Sequence, residues 1–342
     1  MSQLSVSKLS PDRPIRWGFL GAGGIAASMA TDLHHGNNML YSVAARDVDR
    51  AAAFAGRFGA AHSYGDYRAV IEDPEVDVVY VATTHPFHRE QALMAIDAGK
   101  PVLIEKPLAL NAAQAREVTT AARDRGIFAM EAVWMRANPL ILKARALVAR
   151  GDIGDVLAVH ADFSIGLDFD PAHRLFDLAN GGGALLDLGV YPMHFAWLFL
   201  GRPDNQQVVG TLSPTGSDAT AALQWGYRSG ATAQLRCATT GLTPGRATIA
   251  GPAGPISVRP WVPTPRPPVT PPRSRGARGP SSSSRPSGTW RSGQRRGFVR
   301  RGGGRRSSNP PVWKDARRRQ CSPENRLVRK RRRLAETVLR WQ

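Results

Sequence analysis

Short apolar runs alternate with helical segments from Ile15 onward, and no other feature narrows the possible folds so far. Ile15 to Leu20, Leu40 to Ala45, Val76 to Ala82, Pro101 to Glu105 and Ile127 to Glu131 each read as a strand apolar on both sides. Between them the spacing predicts helices over Ile25 to His35, Val48 to Phe58, Pro86 to Ala98 and Ala112 to Arg125, the last with Asn111 as its N-cap. Strands buried on both faces and separated by helices form a parallel, doubly wound sheet, because each crossover lays a helix on one face. An α/β Rossmann domain is expected over residues 14–132, behind a flexible N-terminus at 1–13.

The texture changes after Trp134. A helix is predicted over Leu140 to Arg150, stopped by Gly151 and Gly154, and a strand over Val156 to Ser164. Ala219 to Tyr227 and Ala231 to Thr239 alternate in polarity around Arg228-Ser229-Gly230, the pattern of a hairpin. A second, α+β domain with a mostly antiparallel open sheet is expected over residues 133–258.

Beyond Val258 both periodicities stop. Residues 259–342 hold 24 of the 46 Lys and Arg but only 3 of the 27 Asp and Glu, so the tail carries +21 and the rest of the chain −2. The overall charge of +19 is therefore a property of the tail, not of a basic folded surface. Its Pro, Ser, Gly and Arg cannot bury enough apolar surface to offset chain entropy, which predicts a disordered basic tail and a truncated second domain. A GC-rich coding region read out of frame yields the same mixture, and a frameshift near residues 255 to 265 is the expected origin; the reading frame of the DNA decides it. The rival is a basic arm whose segment from Pro323 to Trp341 forms an amphipathic helix and binds RNA, DNA or acidic membranes. Chance patterning in an Arg-rich stretch explains that segment more simply, so no nucleic-acid partner is expected. Two cysteines, Cys237 and Cys321, make no disulfide framework, and the polar segment before Ile15 lacks a signal peptide's apolar core. No apolar run approaches the ~20 residues that span a bilayer, so a cytoplasmic protein without membrane attachment is expected.

Gly21-Ala22-Gly23-Gly24-Ile25-Ala26 stands between the first strand and the first helix, giving G-x-G-x-x-A. Glycines there permit a tight turn and let a pyrophosphate approach the backbone at a helix N-terminus. Alone the motif describes any Gly-rich turn; at a first strand-to-helix junction it points to a dinucleotide. An NAD site usually places Asp or Glu at the end of the second strand, whereas here Ala45 is followed by Arg46, Asp47 and, one turn on, Arg50. A planar guanidinium at Arg46 suits a 2′-phosphate, so NADP is the expected cofactor; Asp47 would serve NAD if the register slips by two.

Gly99-Lys100-Pro101-Val102-Leu103-Ile104-Glu105-Lys106-Pro107 closes a buried strand with a charged pair, and strand C-termini of a parallel sheet face the crevice where ligands bind. Together with the glycine motif, His85 to His88, Glu131 to Arg136 and the run from Gly181 to His194, it closely resembles the glucose–fructose oxidoreductase, inositol dehydrogenase and rhizopine-catabolism (Gfo/Idh/MocA) family. The branch it most resembles is the dihydrodiol dehydrogenase type, and the resemblance covers residues 15 to about 258.

That resemblance implies an NAD(P)-dependent oxidoreductase acting on a secondary alcohol or ketone of a sugar-like, cyclic polyol or dihydrodiol substrate. Lys106 matches the family's E-K-P lysine, and its bond to Pro107 is expected to be cis. Asp187 and Tyr191 match an Asp-x-x-x-His/Tyr motif whose last residue exchanges the hydroxyl proton. Spaced by four, they share a face if Ala184 to Leu200 is helical. A Lys106 ammonium beside Tyr191 is expected to lower a phenol pKa that is ordinarily near ~10. His194 is an alternative proton carrier. Substrate contacts are expected from His85, Trp134, Arg136, Arg174 and His194, and further cofactor contacts from Thr83, His88, Glu105 and Lys106. Each of these also has a plain structural reading, Asp187 as a helix cap and Tyr191 as a core aromatic among them. No Cys/His cluster has zinc spacing, which leaves the nicotinamide as the hydride donor. The alternatives are a non-catalytic dinucleotide or sugar sensor, against which the joint presence of Lys106, Asp187 and Tyr191 argues, and an inactive product whose second domain cannot close. Self-association through the open sheet, usual in such a family, would need strands missing past Val258.

Overall fold

A computed structural model describes residues 13–33, 37–259 and 261. The first domain contains β1 (Ile15–Leu20), α1 (Gly24–Leu33), β2 (Asn38–Ala44), α2 (Val48–Phe58), β3 (His62–Tyr64) and α3 (Tyr67–Glu72). It continues with β4 (Val78–Val81), α4 (His88–Asp97), β5 (Val102–Ile104), α5 (Ala112–Asp124) and β6 (Ala129–Glu131). All six strands are parallel, in the order β3-β2-β1-β4-β5-β6. The order reverses between β1 and β4, and that switch point opens a crevice at the strands' C-terminal ends. Apolar residues fill both faces. Phe19, Val43 and Tyr80 pack under α1 and α2, whereas Leu20, Val79, Val81 and Ile104 pack against Ala92, Ile96 and Val118 of α4 and α5.

Local sequence sets the ends of these helices. Asp47 caps α2 by accepting the amides of Asp49 and Arg50, and Gly59 closes it in the left-handed region at φ 72°. Asn111 caps α5 through the Gln114 amide. His85–Phe87 forms a 3₁₀ turn ahead of α4, so the helix starts at His88 and not at Pro86.

The second domain holds α6 (Pro139–Ala149), β7 (Ala158–Ser164), α7 (Val190–Leu200), β8 (Asn205–Leu212), β9 (Asp218–Gly226), β10 (Thr232–Ala238), β11 (Ala247–Gly251) and β12 (Gly254–Val258). Its sheet runs β12-β11-β7-β10-β9-β8, antiparallel except for the central parallel pair of β7 and β10. Ala219, Ala221, Leu223 and Trp225 of β9 alternate inward, as half-buried antiparallel strands do, and the last three share a core with Tyr191, Phe195 and Ala196 of α7.

A continuous helix over Ala184 to Leu200 is the one prediction here that changes form. Leu185–Gly189 makes a wider π-helical turn and regular α-helix begins at Val190. Ordered packing also passes the expected boundary at Val258: Trp261 is fully buried, its ring 5.4 Å from that of Phe195. From residue 262 the basic segment, with the helix suggested over Pro323 to Trp341, lies outside the described residues, as does the N-terminal stretch 1–12.

Candidate active site

The loop from β1 into α1 is held close to β4. Gly21 has φ +112°, and a Cβ there would lie 2.7 Å from the Ala82 carbonyl oxygen, so a side chain is excluded twice over. A Cβ at Gly23 would meet only an Arg50 nitrogen at 3.9 Å, and one at Gly24 nothing, which leaves this backbone bare toward the crevice. Gly21, Gly23, Gly24, Ile25, Arg46, Arg50, Thr83 and His85 line a cleft of about 920 Å³ that runs inward to Glu105, Lys106, Arg174, Asp187 and Tyr191. Its size falls in the range of ligand and cofactor sites. At the outer end Arg50 donates to the Ala22 carbonyl (3.1 Å from Nη2), and the Arg46 guanidinium lies 5.8 Å from the centre of the Phe87 ring. The Asp47 carboxylate is already committed to capping α2. These residues fit a dinucleotide: bare amides at a helix N-terminus for a pyrophosphate, and two cations where the second strand ends.

At the inner end β5 delivers Glu105 and Lys106, and the Lys106–Pro107 bond is cis. Glu105 accepts a hydrogen bond from the Tyr80 hydroxyl at 2.6 Å. Burial pushes the Glu105 carboxyl above its usual range, against the pull of Tyr80 and Lys106. Lys106 Nζ donates to the Asp187 carbonyl at 2.7 Å and to Asp187 Oδ1 at 3.1 Å. Arg174 grips the same carboxylate with two nitrogens, at 3.0 and 3.3 Å, and His85 Nε2 lies 3.6 Å from Oδ1. Burial alone would raise Asp187, but Lys106, His85 and Arg174 together hold it well below the usual carboxylate range. Lys106 is buried too; Asp187, Tyr191 and Glu105 together more than offset that cost, so the ammonium is favoured.

Tyr191 lies beside this ion cluster, its ring centre 5.1 Å from Lys106 Nζ, and its hydroxyl accepts from Trp134 Nε1 at 3.3 Å. The expected net drop in its pKa is not what the structure shows. Burial pushes the phenol upward, and Lys106 and Trp134 oppose that without reversing it. Loss of hydration on burial is the largest effect, and the Glu105 and Asp187 charges add to it.

Five expected contacts are not on the cleft wall. His88 is fully buried, with Nδ1 2.8 Å from the Pro107 carbonyl and Nε2 3.1 Å from that of Thr83, so it ties two loops together from beneath the cleft. Ala26 lies in the core of the first domain, and Arg136 points to solvent outside the cleft. His194, three residues past Tyr191 on α7, turns toward β6, where Nε2 lies 3.2 Å from Glu131 Oε2 in a separate pocket. Trp134 reaches the site through Tyr191 and not as part of the cleft wall. The sequence reading missed Tyr80, a strand residue with nothing to distinguish it from core, and Asn180 and Phe87 on the cleft wall.

A doubly wound domain with a bare glycine loop, joined to a domain that brings a lysine, an aspartate and a tyrosine to the inner end of one cleft, defines a dinucleotide-dependent oxidoreductase. Residues 15–132 match the oxidoreductase family with NAD-binding Rossmann fold, and residues 141–257 match the GFO/IDH/MocA C-terminal domain. The chain belongs to the Gfo/Idh/MocA oxidoreductases. It is 37% identical over 256 residues to a trans-1,2-dihydrobenzene-1,2-diol dehydrogenase of Mus musculus, covering 73% of this chain and 76% of the relative. Among solved structures, a 3-ketoreductase from Actinomadura kijaniata in complex with NADP and TDP-benzene is 32% identical with a TM-score of 0.63, covering 70% of this chain and 74% of that one. A levoglucosan dehydrogenase in complex with NADH and levoglucosan is 25% identical with a TM-score of 0.66, covering 72% and 73%.

Proposed function

We propose that this enzyme reversibly oxidises a secondary alcohol on a cyclic diol or sugar-like ring with NADP, in the cytoplasm. The observation that carries the proposal is the Lys106–Asp187–Tyr191 cluster at the inner end of the dinucleotide cleft. When bound, the nicotinamide supplies or accepts the hydride. Lys106, kept charged by Asp187, holds the reacting oxygen and stabilises negative charge as it grows there. Tyr191 exchanges the hydroxyl proton. Its raised pKa keeps the phenol protonated at rest, the form that donates during ketone reduction; alcohol oxidation needs the proton to leave Tyr191 first. Arg174 and His85 fix the Asp187 carboxylate and so the direction of the Lys106 ammonium. Preference for NADP is supported by Arg46 and Arg50 at the outer end, and by Asp47 being occupied as a helix cap. The relatives act on a dihydrobenzenediol in one case and are solved with a sugar-like compound in another, which supports a ring diol as substrate.

The test follows nucleotide reduction by the absorbance of the reduced nicotinamide. Trans-1,2-dihydrobenzene-1,2-diol and levoglucosan are each offered with NADP⁺ and with NAD⁺. Turnover that favours NADP⁺, is lost in Lys106→Ala and Tyr191→Phe, and loses its cofactor bias in Arg46→Ala is the expected result. Activity surviving both Lys106→Ala and Tyr191→Phe overturns the mechanism, and a preference for NAD⁺ overturns the cofactor assignment.

A further inference from the structure

Asp187 and Tyr191 work only if the turn that carries them is fixed, and this segment is pinned from outside. Its start is a run of three glycines, Gly181 to Gly183, each crowded where a Cβ would sit. A Cβ at Gly182 would lie 2.6 to 2.8 Å from three backbone carbonyl oxygens, of Asp177, Arg174 and Leu175. One at Gly181 would lie 2.4 Å from a Leu110 methyl carbon. At Gly183, where φ is +133°, it would lie 2.1 Å from Asp218 Oδ1. That contact marks a carboxylate pushed directly against the turn. Asp218 opens β9, and its Oδ2 accepts the Leu185 amide at 2.6 Å, with the Ala184 amide and its own amide as further donors. It makes no ion pair among the described residues; backbone amides alone hold its charge.

The far end of the turn is packed as well. Cys237 Sγ of β10 would lie 3.1 Å from a Cβ at Gly189. The π-helical turn Leu185–Gly189 is therefore gripped between β9 and β10, with Asp187 in its middle. Such wide turns are rare and recur at functional sites because they re-aim a side chain.

We propose that Asp218 is a positioning residue for the reaction: its carboxylate clamps the glycine turn and thereby sets Asp187, and through it the Lys106 ammonium, against the reacting oxygen. The proposal rests on the assignment of Lys106, Asp187 and Tyr191 to the chemistry. Misplacement by about 1 Å is enough to cost a hundredfold in rate at a well-oriented site. The clamp also titrates. Burial pushes the Asp218 carboxyl up to about 6 while the amides of Leu185, Asp218 and Ala184 pull it down. The ionisable group facing it from β10 is the Cys237 thiol, raised first by its own burial and then by the Asp218 charge. Protonation of Asp218 halves its capacity to accept from the turn, so the clamp loosens toward acid.

The experiment uses the full chain with trans-1,2-dihydrobenzene-1,2-diol and NADP⁺ as probes. Asp218→Ala is expected to lower kcat at least tenfold while the dissociation constant of NADPH, read by its fluorescence, stays within about twofold. Asp218→Asn is expected to fall between the parent and Asp218→Ala and to lack the acid limb near pH 6 expected in the parent's kcat. Gly183→Ala expels the carboxylate and also strains the backbone at φ +133°, so it should lower kcat at least as far as Asp218→Ala. The double variant keeps that strain but its methyl meets no carboxylate, so its loss should fall short of the sum of the two single losses. If Asp218→Ala does not fold, Asp218→Asn and Gly183→Ala decide. A lower melting temperature with parental kcat and pH profile shows a purely structural cap and overturns the proposal. If the parent oxidises no diol, the functional reading fails separately, and crystal structures of parent and Asp218→Ala then decide. Lengthening of the Lys106 Nζ to Asp187 Oδ1 contact beyond 4 Å supports the clamp, and an unchanged contact overturns it.

Discussion

Asp187→Asn removes a single charge from a site where three cations or potential cations converge, and the structure fixes the size of the effect. The Asp187 and Lys106 side chains are 5% and 13% exposed, whereas Arg174 is 49% exposed. The Arg174 contact is therefore solvent-screened and contributes at most about 1 kcal/mol. The Lys106 contact is not. Removing one partner of a buried pair costs about 3–5 kcal/mol, mostly because the other charge is left unpaired. Lys106 Nζ keeps the Asp187 backbone carbonyl at 2.7 Å and asparagine keeps an acceptor oxygen, so the lower end, about 3 kcal/mol, is expected. For a domain pair of this size that is a fall of roughly 6–12 °C in melting temperature. The sign with pH follows from the depressed Asp187 pKa. Its folded value lies below the unfolded one, so the stabilisation is complete above the unfolded carboxylate range and is lost as pH falls through the folded value. Melting curves by circular dichroism should give a constant difference between parent and variant from about pH 6 to 8. A difference under about 2 °C in a folded variant would refute the buried-pair reasoning. Lys106→Met combined with Asp187→Asn should regain much of the lost stability while leaving the enzyme inactive, because no buried charge is left unpaired and the half-exposed Arg174 stays hydrated.

Gly21→Ala combines a left-handed backbone with a Cβ 2.7 Å from the Ala82 carbonyl, and should cost about 1–3 kcal/mol and abolish NADPH binding by fluorescence titration. His88 is buried and its pKa is pushed down to about 4, so the folded state disfavours its charged form. Stability should therefore decline by up to about 3 kcal/mol as pH falls from about 6.5 to 4, and urea titrations of His88→Gln should lack that part of the slope. The raised phenol of Tyr191 predicts that alcohol oxidation accelerates toward alkaline pH whereas ketone reduction does not; parallel profiles in the two directions would contradict its role.

The first sheet could be read from sequence because its strands are buried on both faces, so each is an unbroken apolar run. β3, only His62–Tyr64 and at the sheet's edge, offers no such signal and escapes detection together with α3. The same holds for β8, whose Val209 is 77% exposed, and for β11 and β12, short strands containing Gly and Pro. Periodicity reports burial, and a strand that is short, or lies at an edge with one wet face and few large side chains, has little burial to report. The end of the second domain shows the same limit from the other side. Trp261 stands in a stretch whose composition reads as non-core, yet its ring is buried against Phe195.

The site divides along a different line. Gly21 and Lys106 lie in short motifs directly after β1 and β5 and reach the cleft because strand C-termini in a parallel sheet must point there, whereas Asp187 and Tyr191 come to it from the π-helical turn and α7 of the second domain. Two histidines assigned to the site lie outside the cleft. His194 was expected as an alternative proton carrier, but the π-helical turn over Leu185–Gly189 breaks the regular helical register ahead of it, and His194 faces Glu131 instead. His88 was expected in the cleft from the resemblance, but the 3₁₀ turn His85–Phe87 sends it inward, where its two nitrogens face the carbonyl oxygens of Pro107 and Thr83. Asp218 is the sharpest instance. Nothing in its neighbourhood along the chain sets it apart from any aspartate opening a strand, and its role comes from Gly183, 35 residues earlier, lacking a side chain. A one-dimensional reading recovers groups whose function is set by their own strand or loop. It cannot recover groups whose function is to constrain another segment, because what makes them necessary is a contact between positions that no periodicity links.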